Sequence, residues 1–500
     1  MAGLRKLHAV DGRSGWRKVS TIYFDTADRT LKDAGFALRL RRTGRRWVQT
    51  VKIGSGPQAG LVNVAEYETP APGGHLSLAA IPDEAARERI SLLLEGRALS
   101  PVCESVVRRN AVELLLSDGT RAEICLDIGE IRSGAEHAPI QEVEFELKEG
   151  DVNALYELAS ELVPEPALRL SRLSKAARGY LLADAGIIEP ASSPRMAKKV
   201  LLKPSQTAEL AARDVLRECF DQVISNVTVV LQSDDPEGPH QLRVGLRRLR
   251  AAFAMFAEPL GSPALCELAD GARSLGRTVG PLRDLDVAAT DMVRPLADAH
   301  PQEPGFAALS AALIERAAMS RKRLRENLHE PATQEFLLHL ARFIETRGWL
   351  LNHDLEQTQR LAEPVSELAA RSLDAHYAKV VKRAKKLEQL TVEQRHALRK
   401  KLKALRYVVE FSAPLYPKKK VKEFTKRLKR MQEVFGALND VAVAQALLTG
   451  DHAPGHNNPA AQRASGWLIG NSLVRAEMDW TRAQGAMSEF MDVPPFWRTS

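Results

Sequence analysis

The stretch Gln141-Glu142-Val143-Glu144-Phe145-Glu146-Leu147-Lys148 alternates charged with apolar side chains. Successive side chains of a strand point to opposite faces. Glu142, Glu144, Glu146 and Lys148 therefore line one face, and Val143, Phe145 and Leu147 the other. The three carboxylates lie ~7 Å apart along the strand, a repulsion that water tolerates and that becomes useful when cations sit between them. The pattern recurs upstream. Arg39 and Arg41 share a face in Leu38-Arg39-Leu40-Arg41, and Lys52 adds a donor in Gln49-Thr50-Val51-Lys52. In Ala122-Glu123-Ile124-Cys125-Leu126-Asp127-Ile128 the acids share a face with Cys125. A period of two runs from Ser20 to Lys148, which predicts a strand-rich region. Carboxylates and bases on the inner wall of one antiparallel barrel would hold a divalent cation and a polyphosphate together. Closure of the barrel also removes exposed strand edges.

From Gln206 onward the apolar period becomes helical, so the chain reads as an α+β multidomain protein with its strands first and its helices second. Its 500 residues exceed one ordinary domain. Glu189-Pro-Ala-Ser-Ser-Pro reads as a linker. Up to and including Glu189 stand 25 basic and 27 acidic residues, and after it 46 and 36, so the net charge of +8 belongs to the helical part. Lys379 to Arg430 alone holds 19 bases against four acids, a field that calls for an anionic partner. Four cysteines without a Cys-x-x-Cys pair argue against a disulfide scaffold and against a zinc site of that kind. With no apolar run of ~18 residues and no apolar core at the N-terminus, the expectation is a cytoplasmic protein without a membrane partner.

The helical part repeats itself. His240-Gln-Leu-Arg243-Val-Gly-Leu-Arg247-Arg-Leu-Arg250 reappears 156 residues on as His396-Ala-Leu-Arg399-Lys-Lys-Leu-Lys403-Ala-Leu-Arg406. Gly280-Pro-Leu-Arg-Asp284 pairs with Gly436-Ala-Leu-Asn-Asp440 at the same spacing, which marks a tandem duplication. On a helix, His240, Arg243, Arg247 and Arg250 fall within ~80° of arc, as do His396, Arg399, Lys403 and Arg406. Leu242, Leu246 and Leu249 form an apolar stripe beside the first ladder. Neither ladder contains the acids that a merely solvated face usually mixes in. Ladder positions ~4.5–6 Å apart along the axis are comparable with the spacing of phosphates in an extended phosphoanhydride chain.

Tyr23-Phe24-Asp25-Thr26, Leu38-Arg39-Leu40-Arg41-Arg42, Thr50-Val51-Lys52, Gly60-Leu61 with Ala65-Glu66-Tyr67-Glu68, Leu126-Asp127-Ile128-Gly129, the Glu142 to Lys148 strand and Ser174-Lys175-Ala176-Ala177-Arg178-Gly179-Tyr180 together resemble the CYTH family of triphosphate tunnel enzymes. The resemblance covers about Ser20 to Leu182. It implies an eight-stranded antiparallel tunnel that binds Mg2+ or Mn2+ and hydrolyses triphosphate through a metal-activated water. By position, Arg39, Arg41, Lys52, Arg109 and Lys175 correspond to phosphate binders, and Glu66, Asp127, Glu144 and Glu146 to the metal side. The chain departs from the family in two places. Met1 to Arg17 contain no Glu-x-Glu-x-Lys strand, and Val64 stands where the family often has arginine. The expectation is a tunnel with weak or absent turnover, because a clamp built on positioning loses rate when incomplete.

The helical repeat resembles the CHAD domain over about Ser205 to Leu448. This implies two repeated four-helix bundles whose basic helices face one groove and bind inorganic polyphosphate; some members associate with polyphosphate granules. The domain reading is residues 1–189 for the tunnel, with its opening strand missing, 190–204 for a linker and 205–450 for the helical domain. A C-terminal helical extension follows over 451–500, expected as a helix pair with Trp467 and Trp480 in the core. The partner is then inorganic polyphosphate or triphosphate, and the alternative a non-catalytic polyphosphate binder with a degenerate tunnel. A nucleic-acid binder is disfavoured by the 5% aromatic content and by ladders without aromatics in the first copy.

Overall fold

Strands that bury apolar residues on one face and charges on the other need two different neighbours, and this requirement organises the N-terminal unit. The computed structural model describes residues 15–54, 61, 64–162, 169–189 and 193–498. Residues 1–14, Gly60 and positions 190–192 of the expected linker lie outside the described residues. So do the side chains of Ala437, Leu438, Asn439 and Asp440 in the second copy of the repeat. The chain divides into two compact units, Met1–Ser192 with Leu337–Thr346, and Ser193–Phe336 with Arg347–Ser500.

The first unit is one antiparallel sheet of seven strands: β1 (Trp16–Asp25), β2 (Phe36–Thr43), β3 (Arg46–Ile53), β4 (Ala65–Pro70), β5 (Ser100–Leu115), β6 (Arg121–Ser133) and β7 (Glu136–Glu149). Their order is β4-β3-β2-β1-β5-β6-β7. Tyr23 lies opposite Arg39, Arg39 opposite Thr50, and Lys52 opposite Glu66. On the other side, Arg109 lies opposite Asp127, Asp127 opposite Glu142, and Cys125 opposite Glu144. Opposed residues share a face, so this register gathers the sequence-predicted charges onto one side of the sheet. The other side is apolar and covered. Counting helices of eight or more residues, α1 (Glu84–Leu94) packs Ile90 and Leu94 with Phe36, Leu38 and Val51. Leu155 and Leu158 of α2 (Asn153–Leu162) pack with Ile124, Val143, Phe145 and Leu147.

Helix α3 (Lys175–Ala185) starts at Ser174, whose hydroxyl accepts from the Ala177 amide at 3.2 Å. Its Leu182 packs with Val19, Val107, Ile131 and Ile140, which share the parity of the charged residues, so α3 covers one end of the charged face. The approach requires Gly179: a Cβ there would stand 2.2 Å from Cys103 Sγ. A buried carboxylate completes the attachment. Asp25, fully buried, accepts from the amides of Thr26 at 2.7 Å, Leu31 at 2.9 Å and Lys32 at 3.0 Å, and from the Tyr180 hydroxyl at 2.9 Å.

The sheet differs from the expected closed barrel of eight strands. Among the described residues it has seven, and β4 and β7 end it unpaired. Charges from strands that are not neighbours nonetheless influence one another: Lys52 of β3 acts electrostatically on Glu144 of β7, and Arg109 of β5 on Arg41 of β2. Direct pairing of β4 with β7 would set Glu66 and Glu68 beside Glu142, Glu144 and Glu146, and like charges directly opposite are destabilising.

The second unit is helical: α4 (Ala208–Gln232), α5 (Glu237–Met255), α6 (Pro263–Val287), α7 (Pro304–His329), α8 (Pro331–Glu345, partly in the first unit), α9 (Leu355–Ala362), α10 (Val365–Ala384), α11 (Val392–Ser412), α12 (Lys418–Leu448) and α13 (Pro459–Met491). Helices α11, α12 and α13 each begin 155 residues after α5, α6 and α7. The leucine stripe is buried in both ladder helices, as Leu242, Leu246 and Leu249 and as Leu398, Leu402 and Leu405. The C-terminal stretch is one 33-residue helix rather than a pair. Its Ala461, Ala464 and Leu468 pack with Leu309, Leu313 and Ala444. Trp467 is 42% exposed instead of buried, its ring against His300 and Phe306.

Asp25→Ala strands three backbone donors and the Tyr180 hydroxyl. It is expected to cost about 3–4 kcal/mol, and Tyr180→Phe about 1.5 kcal/mol, in the urea transition of the N-terminal unit.

Candidate functional site

On the charged face of the sheet, cations and carboxylates form two groups. In the first, Glu66 accepts from Arg39 Nη2 and from Lys52 Nζ, each at 2.8 Å. Burial alone would raise the Glu66 carboxyl, but Lys52 and Arg39 outweigh it and hold it below the ordinary carboxylate range. Burial, reinforced by Arg39, lowers Lys52 despite the help of Glu66. Arg41 is lowered by burial and by its neighbours Arg39 and Arg109, and its buried Nε has no hydrogen-bond acceptor.

The second group surrounds Lys175. Its ammonium lies 2.7 Å from Asp127 Oδ2 and 2.9 Å from Glu144 Oε1, and also pairs with Glu142. Arg109 grips Asp127 with two bonds, Nε to Oδ1 at 2.8 Å and Nη2 to Oδ2 at 2.7 Å, and reaches Glu144 at 2.9 Å. Arg178 donates to Glu142 at 3.0 Å. Burial would raise Asp127 and Glu144 but is outweighed by Arg109 and Lys175, so both carboxyls are lowered. Burial would likewise lower Lys175, yet Glu144, Glu142 and Asp127 raise it. Oxygens of Asp127, Glu142 and Glu144 lie within 4.8 Å of one another. An all-carboxylate set of this kind suits a hard divalent ion such as Mg2+ or Mn2+.

The expected metal-side residues are thus only partly gathered. Asp127 and Glu144 come together; Glu66 stands with Arg39 and Lys52, and Glu146 pairs with Lys148 at 2.8 Å. Glu142 and Arg178 join the group although the sequence reading assigned neither to the metal side nor to the phosphate binders. The signal for Glu142 was present, since it shares the parity of Glu144. For Arg178 the signal was its place three residues after Lys175, on the same helix face, although its reach to Glu142 depends on how α3 docks.

In the helical unit the two ladders meet. Lys403 of α11 is lowered to about 7 by burial and by Arg247, Arg399, Arg406 and Arg243. Arg247 of α5 is lowered to about 10 by burial, Arg243 and Arg399, with Tyr407 and Asp284 opposing. His240 is lowered by burial and by Arg283, and Arg247 and Lys403 act on it too. Arg243 donates to Asp284 Oδ1 at 2.8 Å and to the Gly280 carbonyl at 3.1 Å, which gives the repeated Gly280–Asp284 block a role: it anchors the ladder. Arg406 lies 5.1 Å from the Tyr407 ring centroid. Arg250 is exposed and faces Arg273 and Arg277 instead of the group, and His396 is exposed near the start of α11. Sequence reading passed over Arg248, which is 1% exposed. It donates to Glu410 of α11 at 3.0 Å and to Gln222 of α4 at 2.7 Å, tying the two ladder helices together.

A sheet with its charges on the inner face, followed by helices that converge like charges, defines the class of chain. Residues 13–180 match the CYTH domain and residues 214–449 the CHAD domain, so this chain carries a CYTH domain followed by a CHAD domain. The inorganic triphosphatase of Haemophilus influenzae is 30% identical over 166 residues, 33% of this chain and 46% of that protein. The chain therefore spans about half the length of that curated relative. Among solved structures, the CHAD domain from the plant Ricinus communis aligns at 26% identity with a TM-score of 0.51, over 59% of this chain and 96% of that one. PptA from Streptomyces chartreusis aligns over 57% of this chain and 100% of its own, at 16% identity and a TM-score of 0.41, too loose to argue from. No helix among the described residues is long and apolar enough to cross a membrane.

Lys403 makes the helical unit pH-sensitive in a defined direction. A base lowered from 10.5 to about 7 is charged in both folded and unfolded chains below about pH 7, where its cost is complete. Between about 7 and 10.5 the unfolded chain holds the extra proton, so stability rises with pH. Thermal melts followed by helical circular dichroism are expected to show this rise, and Lys403→Met to flatten it and raise the midpoint at pH 7.

Proposed function

We propose that this protein binds inorganic polyphosphate through its helical unit, and that the charged face of its sheet takes triphosphate together with Mg2+ or Mn2+. The observation that carries the reading is Lys403 among four arginines drawn from two helices, Arg243, Arg247, Arg399 and Arg406. A protein keeps so costly a group when a polyanion relieves it. The repeated helix starts support two four-helix bundles, α4–α7 and α10–α13, related by the duplication. In that arrangement α5 and α11 carry the same ladder from each half.

On the sheet, Arg39, Arg41, Lys52, Arg109 and Lys175 are the phosphate donors, and Asp127, Glu142 and Glu144 the carboxylates that would hold the ion. A bound Mg2+ or Mn2+ supplies charge neutralisation on the phosphoryl oxygens and an activated water. The chain's own residues orient the phosphates: Arg41, with a buried Nε lacking an acceptor, is poised for an incoming oxygen. The likeness to an inorganic triphosphatase supports hydrolysis of triphosphate to pyrophosphate and phosphate as the reaction. Each carboxylate of the trio is already engaged by two cations of the protein, which favours binding over turnover. Phosphate release from tripolyphosphate is expected to require Mg2+ and to run well below the ~10 s⁻¹ median for enzymes. Release no greater with Mg2+ than without would assign the sheet a purely binding role.

The helical reading has its own test. Arg247→Ala with Lys403→Ala is expected to weaken binding of long-chain polyphosphate about tenfold or more at fixed salt. Lys418→Ala, Lys419→Ala and Lys420→Ala together remove more charge but lie exposed at the start of α12, where solvent screens them, and should cost less. Binding should weaken steeply with salt, and duplex DNA should compete poorly. Loss in simple proportion to charge removed, or efficient competition by DNA, would reduce the groove to an ordinary basic patch.

A further inference from the structure

Lys175 is 8% exposed and opens α3, with its backbone placed by the Gly179 contact and the Asp25–Tyr180 bond. An ammonium so buried must be neutralised. It is the one cation of its group that touches all three acids, Asp127, Glu142 and Glu144. Arg109 closes the set on Asp127 and Glu144, and Arg178 on Glu142. Three carboxylates meet three cations, and each carboxylate has two cationic partners. Without the central ammonium, three carboxylates whose oxygens lie within 4.8 Å would repel one another.

This balance has a consequence for ligands. A divalent ion arriving alone meets a set whose formal charge is already zero and whose centre holds an ammonium, so it gains little net attraction. A phosphate chain entering this group alone must draw Lys175 or Arg109 away from carboxylates that would then be left unpaired. When both arrive, phosphate oxygens take the ammonium and the guanidinium while the carboxylates take the ion, and no charge is stranded. We propose that Lys175 is the resident counter-ion of the Asp127–Glu142–Glu144 set, so that a divalent cation and a phosphate chain bind as a pair and each weakly alone. The inference rests on the proposed reading of this face for its phosphate and goes beyond it in making the two ligands mutually dependent, a linkage that must be reciprocal.

The test uses the full chain and counts free Mn2+ by electron paramagnetic resonance. Without any phosphate, Lys175→Met is expected to bind Mn2+ at least about tenfold more tightly than the parent protein, because the competing central charge is gone. Lys175→Arg should stay close to the parent. Arg178→Met removes the same unit charge from the rim and should gain less than Lys175→Met. A Lys175→Met affinity equal to that of the parent, or a gain no larger than that of Arg178→Met, overturns the proposal. Should Lys175→Met fail to fold by circular dichroism, the parent decides. In a background carrying Arg247→Ala and Lys403→Ala, which weakens the helical unit, tripolyphosphate affinity is measured in EDTA and with Mn2+, corrected for the solution complex. A rise of about tenfold or more with Mn2+ supports the pairing, and equal affinities overturn it. Absence of tripolyphosphate binding in both conditions sinks the phosphate reading of the sheet, while the arm with Mn2+ alone still decides the role of Lys175.

Discussion

Charges turned toward the inside of a sheet must be neutralised, and most of the N-terminal unit follows from that constraint. The register that sets Arg109 opposite Asp127, and Lys52 opposite Glu66, places each acid within reach of a base. The docking of α3 then delivers Lys175 and Arg178 to the carboxylates of β6 and β7. Because those partners come from a helix far along the chain, the charged face is complete only when α3 is seated. Gly179 and the buried Asp25 serve that seating, one by allowing close approach and the other by collecting four donors. Apolar side chains then occupy the outer face, where α1 and α2 cover them.

The helical unit handles charge in the opposite way. Arg247, Lys403, Arg399 and Arg406 are brought together with little acid beside them, and the cost shows in Lys403, whose ammonium is held at about 7. Buried leucines on α5 and α11 and the Arg248–Glu410 bond between these helices supply the rigidity that keeps like charges close. The two units therefore differ in how their charges are balanced. In the proposed function, a face that is already neutral discriminates by requiring matched ligands, whereas a group left positive attracts polyanions and relies on spacing for selectivity.

Much of this was legible in the residues. Alternation in β2, β6 and β7 assigns faces correctly because strand geometry leaves a side chain only two directions. The 156-residue repeat reveals the duplicated ladder because both copies keep the same types at the same helical phase. Other features were out of reach for physical reasons. Glu146 looks equivalent to Glu144 by parity, yet Lys148, two residues on, captures it. Arg250 lies on the same arc as Arg247 but near the end of α5, where Arg273 and Arg277 are its neighbours. Arg248 falls off the arc and carries the tie between the ladder helices.

The sequence by itself determined the two-part architecture, the inward parity of the sheet's charges and the paired cationic ladders, since each is a matter of local period. Tertiary structure alone decided which charges meet. Lys52 of β3 acts on Glu144 of β7, the docking of α3 sets Lys175 among three acids, and the packing of α5 with α11 surrounds Lys403 with arginines. Sheet closure belongs to the same category: alternation specifies an inner face, but whether the edges join depends on the strands available to pair and on the charges they carry. Coulomb energy depends on separation through space, and separation along the chain does not predict it.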